Sequence, residues 1–255
     1  MLPIHRTPTH VFNYDEIPPG HYFKVMQKGS AVQRFWHQEK FKEVASRIPN
    51  GSKVLDIGCG PGSFLWILAQ EKPEIQGIGV DIASSQIQYA IENVGKSFPN
   101  GTVSFQMLKP GAPHLPFEDE SFDAITSIEV IEHIHPHLAF NLLEEAKRVL
   151  KPNGKMVLTT PNYRSLWPLI EFILEYVSPV KYHDQHISKF TPNSAVKFME
   201  TLGMTVTQVD SLFMLAPFIA FLGKTIPDAV LKLEKKLDWK VGSLLVLESE
   251  KIKWG

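Results

Sequence analysis

From Lys53 onward the chain alternates between two hydrophobic periods: short apolar runs of strand length, and longer stretches with apolar residues every three or four positions. The strand-like runs cover residues 53–57, 75–80, 103–106, 122–127, 155–160, 204–209 and 243–247. The helical period shows in 63–70, 84–94, 138–150 and 194–202, with Lys151-Pro152-Asn153-Gly154 and Gly203 as stop signals after the last two. Strands and helices taking turns in one chain predict an α/β fold, a doubly wound, seven-stranded, mostly parallel Rossmann-like sheet.

Three stretches depart from this rhythm. Residues 1–30 are rich in Pro, Gly and His without a sustained period and read as an irregular arm, followed by an amphipathic helix over 35–48. The arm and helix therefore occupy 1–50, and the sheet domain runs from 51 to 255 with helical insertions at about 163–190 and 212–237. The first insertion holds an apolar, aromatic helix over 166–177. The second begins with an apolar patch, Phe213, Met214, Leu215, Phe218, Ile219, Phe221 and Leu222, and ends in a Lys-rich helix over 231–237. Two readings of that patch stand: a lid packed on the sheet, or a face for a membrane surface that collects a lipid-linked acceptor. Its longest apolar run, 212–222, is too short to cross a bilayer.

Composition narrows the function classes. A hydrophobic content of 44% with 21% charged residues describes a globular protein rather than a disordered one. The net charge of −1 argues against a general nucleic-acid binder. One cysteine, Cys59, excludes an intramolecular disulfide and fits a reducing compartment. Residues 1–12 lack the apolar core of a signal peptide, so the expected location is cytoplasmic, with peripheral contact at the inner membrane face if 212–237 meets lipid.

The densest chemical signal is Val54-Leu55-Asp56-Ile57-Gly58-Cys59-Gly60-Pro61-Gly62, a strand running into a Gly-rich turn before a helix. In an open α/β sheet, a turn after the first strand lies at the ligand crevice. The glycine spacing differs from the G-x-G-x-x-G dinucleotide fingerprint, and Asp56 would repel a pyrophosphate. A carboxylate there suits a cationic amino-acid moiety instead, which places an NAD-dependent oxidoreductase last among the alternatives. Asp81 closes the second strand where it can accept hydrogen bonds from both hydroxyls of a ribose, and Ile82 beside it suits an adenine face.

This block, together with LPFEDESFDAITSIEVIEHI over 115–134 and RVLKPNGKMVLTTPN over 148–162, resembles class I S-adenosylmethionine-dependent methyltransferases. The similarity runs from residue 54 to 204 and is to the ubiquinone-biosynthesis O-methyltransferase type (methyltransferase types 11 and 23). It implies that Asp56, Gly58, Cys59, Gly60 and Gly62 surround the methionine part of S-adenosyl-L-methionine and that Asp81 and Ile82 take its ribose and adenine. Gln106, Ser127 and Glu129 would line the same pocket. Most relatives carry an Asp after the third strand that contacts the adenine amino group. Residues 106–112 here contain no acid, so that contact falls to backbone groups or Gln106.

Glu129-Val130-Ile131-Glu132-His133 also resembles the divalent-metal motif of these O-methyltransferases and of small-RNA 2′-O-methyltransferases, which add a histidine from a later loop. The resemblance implies Glu129, Glu132, His133 and His186 as ligands of Mg²⁺ or Mn²⁺, with His183 as the alternative to His186. Such a site would hold a vicinal diol and lower the pKa of its hydroxyl. Without a metal, His133 becomes the general base, activated by Glu132. The expected activity is O-methylation of a hydroxylated small molecule or a lipid- or sugar-linked acceptor. The alternatives are metal-independent C- or N-methylation and a non-catalytic S-adenosylmethionine-binding module.

Overall fold

In a computed structural model, residues 17–98, 100–111, 114–177, 186–237 and 241–252 are described. Seven strands, β1 (Lys53–Ile57), β2 (Gln76–Asp81), β3 (Val103–Met107), β4 (Phe122–Ile128), β5 (Leu150–Pro161), β6 (Thr205–Leu212) and β7 (Leu244–Glu250), form one sheet. Their order is β3-β2-β1-β4-β5-β7-β6. Every pairing from β3 to β5 is parallel, and β7 runs antiparallel between β5 and β6. This is the doubly wound sheet that the alternating periods predict.

Buried positions fall into two apolar clusters. One gathers Val54, Leu65, Leu68, Val157 and Val246 with Phe23, Phe35, Phe41 and Val44 from α1 (His21–Lys28) and α2 (Ala31–Arg47), and with α3 (Ser63–Glu71). The other gathers Leu55, Ile125, Met156 and Leu247 with α5 (Pro136–Val149) and α7 (Pro192–Thr201). Successive strand residues face opposite sides, so Val54 and Leu55 serve different clusters and β1 is buried on both. An apolar run without alternation is the signature of such a strand.

The elements differ from the sequence expectation in several places, among them β5, which starts at Leu150 rather than Lys155. Residues 21–28 are helical, where a Pro/Gly-rich composition suggests an irregular arm, and Phe23 and Met26 plug the first cluster. Helix α2 begins at Ala31 rather than Phe35 because Ser30 and Gln33 form a reciprocal capping box. Strand β6 runs on to Leu212 and β7 to Glu250, through polar Asp210, Ser211, Glu248 and Ser249. Ladder hydrogen bonds between them do not depend on side-chain polarity, so the apolar pattern ends before the strands do. The segment over 84–94 divides into α4 (Ser84–Tyr89) and a π-helical turn.

The second insertion is anchored to the sheet. Phe213 is fully buried and its ring lies 4.6 Å from that of Trp36 on α2. Glu234 on α8 (Thr225–Leu237) accepts hydrogen bonds from the backbone N–H groups of Met214, Leu215 and Ala216, at 3.2, 2.7 and 2.9 Å. It thereby caps the 3₁₀ turn Ala216–Leu222. Leu215, Phe221, Leu222 and Ile226 stay exposed on its outside. Among the described residues no helix is long and apolar enough to cross a membrane.

Candidate active site

After β1 the chain turns through the glycine block, and the Gly58 and Cys59 N–H groups both donate to Val80 O on β2, at 2.8 and 3.1 Å. Gly58 has φ +75°, and a Cβ there would sit 2.3 Å from Val130 Cγ2. The glycine is what allows the turn and the Glu129–His133 segment to pack together. Gly60, at φ +50°, is different: a Cβ there would meet nothing within 4 Å. Its bare backbone faces open space, as close approach of a ligand requires.

The acids expected at this turn occupy two environments. Asp81 Oδ2 accepts from Gly60 N and Oδ1 from Ala83 N, both at 2.8 Å, which fixes the carboxylate at the mouth of the turn with Ile82 exposed beside it. Asp56 lies beneath, buried, accepting from Thr126 Oγ1 on β4 at 2.7 Å. Burial pushes its carboxyl up to about 7, against the Thr126 hydrogen bond and with the Asp81 charge adding to the rise. The Cys59 thiol is raised by burial and then by the charges of Asp56 and Asp81, which removes it as a nucleophile. Gln106 is exposed on β3, on the opposite strand face from Phe105.

At the end of β4, Glu129 adopts φ +54° and donates its N–H to Thr159 O at 3.1 Å. Its carboxylate forms an ion pair with the buried Lys40 of α2. Burial, the largest single influence, raises the Glu129 carboxyl, but the charge and hydrogen bond of Lys40, joined by the nearby imidazoles, together hold the group below the usual range. The short 3₁₀ turn Ile131–His133 then presents Glu132 and His133. Glu132 is fully buried and neither carboxylate oxygen has a hydrogen-bond partner. Burial, reinforced by the Glu129 charge, pushes its carboxyl well up.

His186 reaches this turn on a later loop, stitched down by Ser188 N to Glu132 O at 2.9 Å and Ser188 Oγ to Ile134 O at 3.0 Å. The His133 and His186 rings are 5.0 Å apart, and donor atoms of Glu132, His133 and His186 lie within 4.8 Å of one another. Among the described residues this is the one cluster with metal-ligand character. Glu129, expected as a fourth ligand, is not in it because Lys40 engages its carboxylate. His183 lies outside the described residues.

Several groups here escape a reading by local motif. Lys40 meets Glu129 from 89 positions away, so nothing in its own segment marks it. Glu171 is buried on α6 (Trp167–Val177), where it binds His186 and Tyr163. Its signal was present: a single early acid in the otherwise apolar face of WPLIEFI. Burial raises the Glu171 carboxyl, but hydrogen bonds from His186 and Tyr163 outweigh this and hold it low. The buried atoms without a hydrogen-bond partner are telling as a set. Among the described residues these side-chain atoms, apart from Arg47 Nη1, belong to Ser63, Ser127, Glu132, Thr160 and Trp167. These residues lie at the start of α3, the carboxyl ends of β4 and β5, the turn after β4 and the start of α6. Protein interiors satisfy nearly all such groups, so their concentration at the ligand edge of the sheet marks a place shaped for a polar ligand.

A family model described as a methyltransferase domain matches residues 29–209. The chain is 27% identical over 192 residues to the ubiquinone/menaquinone biosynthesis C-methyltransferase of Geotalea daltonii, covering 72% of this chain and 79% of that one. It is 30% identical over 152 residues to the demethylmenaquinone methyltransferase of Staphylococcus saprophyticus, covering 57% and 60%. A solved S-adenosylmethionine-dependent methyltransferase from Thermotoga maritima shares the fold with a TM-score of 0.61 at 19% identity, covering 91% of this chain and 95% of that one. The glycine turn, the acid closing β2 and the strand order thus meet in one conclusion: the chain belongs to the methyltransferase-domain family and is an S-adenosylmethionine-dependent methyltransferase.

Proposed function

We propose that this enzyme methylates an oxygen of a hydroxylated small-molecule acceptor, with Glu132, His133 and His186 holding a divalent cation beside the methyl donor. The observation that carries the reading is the fully buried Glu132 carboxylate, unpartnered yet within 4.8 Å of two imidazoles. A buried ionised carboxylate is costly unless a cation or donors compensate it, and a metal would do so here. Two imidazoles to one carboxylate fit Mn²⁺, Co²⁺ or Zn²⁺ better than Mg²⁺, which prefers oxygen ligands. Such a cation supplies Lewis acidity that lowers the pKa of an acceptor hydroxyl.

The chain's own groups do the rest. Gly60 lets the cofactor approach the backbone, and Asp81 accepts from its ribose. The cationic methionine moiety favours the ionised form of Asp56, a group that burial otherwise keeps half protonated near neutrality. With His133 engaged as a ligand, the acidified hydroxyl would release its proton to solvent, and the acceptor oxygen would form its bond to the methyl carbon as the carbon–sulfur bond breaks, leaving a neutral thioether. Positioning accounts for most of the acceleration, without a covalent enzyme intermediate. The exposed Leu215, Phe221 and Leu222 support an acceptor that carries, or is drawn from, a greasy phase.

A second reading rests on the relatives, whose printed names place them in quinone biosynthesis and, for Geotalea, on carbon. In it His133 deprotonates a ring hydroxyl without a metal, the adjacent carbon takes the methyl as the carbon–sulfur bond breaks, and that carbon's hydrogen then leaves as a proton to restore the ring. The test is turnover of a catechol and of a prenylated hydroquinone with methyl-labelled cofactor, on chelator-treated protein with and without added Mn²⁺. Mn²⁺-dependent product with the label on oxygen supports the first reading. Product formed equally without metal, with the label on carbon, overturns it in favour of the second.

A further inference from the structure

Buried Glu171 and His186 and half-buried Tyr163 form a closed triangle that shares His186 with the Glu132–His133–His186 cluster. His186 Nδ1 is 2.6 Å from Glu171 Oε1. The Tyr163 hydroxyl lies 2.9 and 3.1 Å from the two Glu171 oxygens and 3.0 Å from the same Nδ1. Glu171 and His186 are both more than nine-tenths buried.

The proton positions follow from the donors available. A phenol offers one proton and a carboxylate offers none. Tyr163 is placed to give its proton to Glu171. The 2.6 Å contact between Nδ1 and Oε1 then needs a proton of its own, and the imidazole has to supply it. An imidazole with its proton on Nδ1 has its lone pair on Nε2, the nitrogen on the other side of the ring.

We infer that Glu171 is a positioning residue: it fixes His186 as the Nδ1–H tautomer and so assigns Nε2 to the cluster with Glu132 and His133. Carboxylate–histidine pairs orient metal-binding imidazoles in this way and raise the basicity of the ligating nitrogen. Helix α6 thus has a role beyond bulk. Trp167 and Glu171 lie one turn apart on it, and the Trp167 ring flanks the His186 ring at 6.1 Å while Glu171 holds its nitrogen. In its metal consequence the inference rests on the reading of the cluster proposed above; in its tautomer consequence it does not.

The experiment therefore has two arms. In metal-free wild-type protein with ¹⁵N-labelled histidine, long-range ¹⁵N–¹H correlation reads the His186 tautomer, assigned by its loss in His186→Gln. The Nδ1–H form is expected, and the Nε2–H form would overturn the inference. In the second arm Co²⁺ is titrated and its visible ligand-field spectrum followed. Glu171→Gln, near-isosteric but able to present an amide N–H to Nδ1, is expected to weaken Co²⁺ binding roughly 10- to 100-fold and to change the spectrum. Tyr163→Phe, which keeps the carboxylate on Nδ1, is expected to cost much less. Equal Co²⁺ affinity and spectrum in wild type and Glu171→Gln would overturn the inference. An Nδ1–H tautomer in a wild-type protein that takes up no Co²⁺ supports the positioning role and retires the metal reading alone. The wild-type arm decides the matter even if Glu171→Gln fails to fold.

Discussion

Gly58→Ala isolates the contact that joins the cofactor turn to the Glu129–His133 segment. Two costs are expected. At φ +75° an L-residue sits in the left-handed region, worth about 1–2 kcal/mol. The new Cβ would also lie 2.3 Å from Val130 Cγ2, an overlap that forces the Val130 side chain or the turn to shift at about 1–3 kcal/mol. Together they predict a loss of roughly 2–5 kcal/mol, and a fall in Tm of roughly 4–20 °C for a domain of this size. Gly60→Ala is the matched control, with the same kind of backbone strain but nothing within 4 Å of the new methyl, and should lose only about 1–2 kcal/mol. Val130→Ala, at a half-buried position, should cost about 1 kcal/mol alone. In the double variant Gly58→Ala/Val130→Ala the overlap disappears, so a favourable coupling of about 1–3 kcal/mol is expected. Urea unfolding of wild type and the four variants without cofactor measures all of these terms. Strict additivity, or a Gly58→Ala loss no larger than that of Gly60→Ala, would refute the clash and leave backbone strain as the sole reason for the glycine.

Three further outcomes are expected. The folded state keeps the Asp56 proton up to about pH 7 while the unfolded chain releases its own near 3.8, so wild type without cofactor should lose stability as pH rises from 4 to 7. Asp56→Asn should lack that slope and gain up to roughly 4 kcal/mol over wild type above pH 7; parallel urea-stability profiles between pH 4 and 8 would contradict the burial argument. Lys40→Met leaves the Glu129 carboxylate without its cation and should cost about 3 kcal/mol, most of it recovered in Lys40→Met/Glu129→Gln; a double variant no better than the single one would show that the pair is not what matters. Glu234→Ala uncaps the 3₁₀ turn and should cost about 1–2 kcal/mol, with hydrogen exchange at residues 214–222 accelerated before the rest of the chain.

The parts of this molecule that were legible in sequence are those whose physics is local. A strand buried on both faces reads as an apolar run, a glycine turn that receives a ligand needs its glycines consecutive in the chain, and Asp81 announces itself by closing a strand. Both insertions stood out because they broke the rhythm. Residues 21–28 did not read as a helix, since their stability comes from seating Phe23 and Met26 among residues of α2 and α3 rather than from the segment itself. The ends of β6 and β7 were hidden because backbone pairing carries no side-chain signature. Within the site the same division holds. Glu132, His133 and His186 were named from spacing and resemblance and lie together, whereas Glu129 was assigned to the metal without sight of Lys40. No periodicity encodes a partner 89 residues away. Glu171 stands out in the sequence as a lone acid among apolar neighbours, but its role depends on which histidine the fold carries to it.

The position of β7 bears on how the protein is made. It pairs with β5 along 155–161 and with β6 along 205–212, so it is an interior strand that follows both of its neighbours in the chain. While the polypeptide is being synthesised, β1 to β5 can assemble as they emerge, but the outer edge of β5 stays open until residues 244–250 appear. Strand β6 meanwhile has no rung to join, and the apolar stretch 213–222 that follows it waits exposed. A nascent chain stalled in that interval presents a bare parallel-sheet edge and a greasy segment at once, the pairing of features that invites capture by another strand. For this enzyme, release of the last strand is the event that closes the sheet.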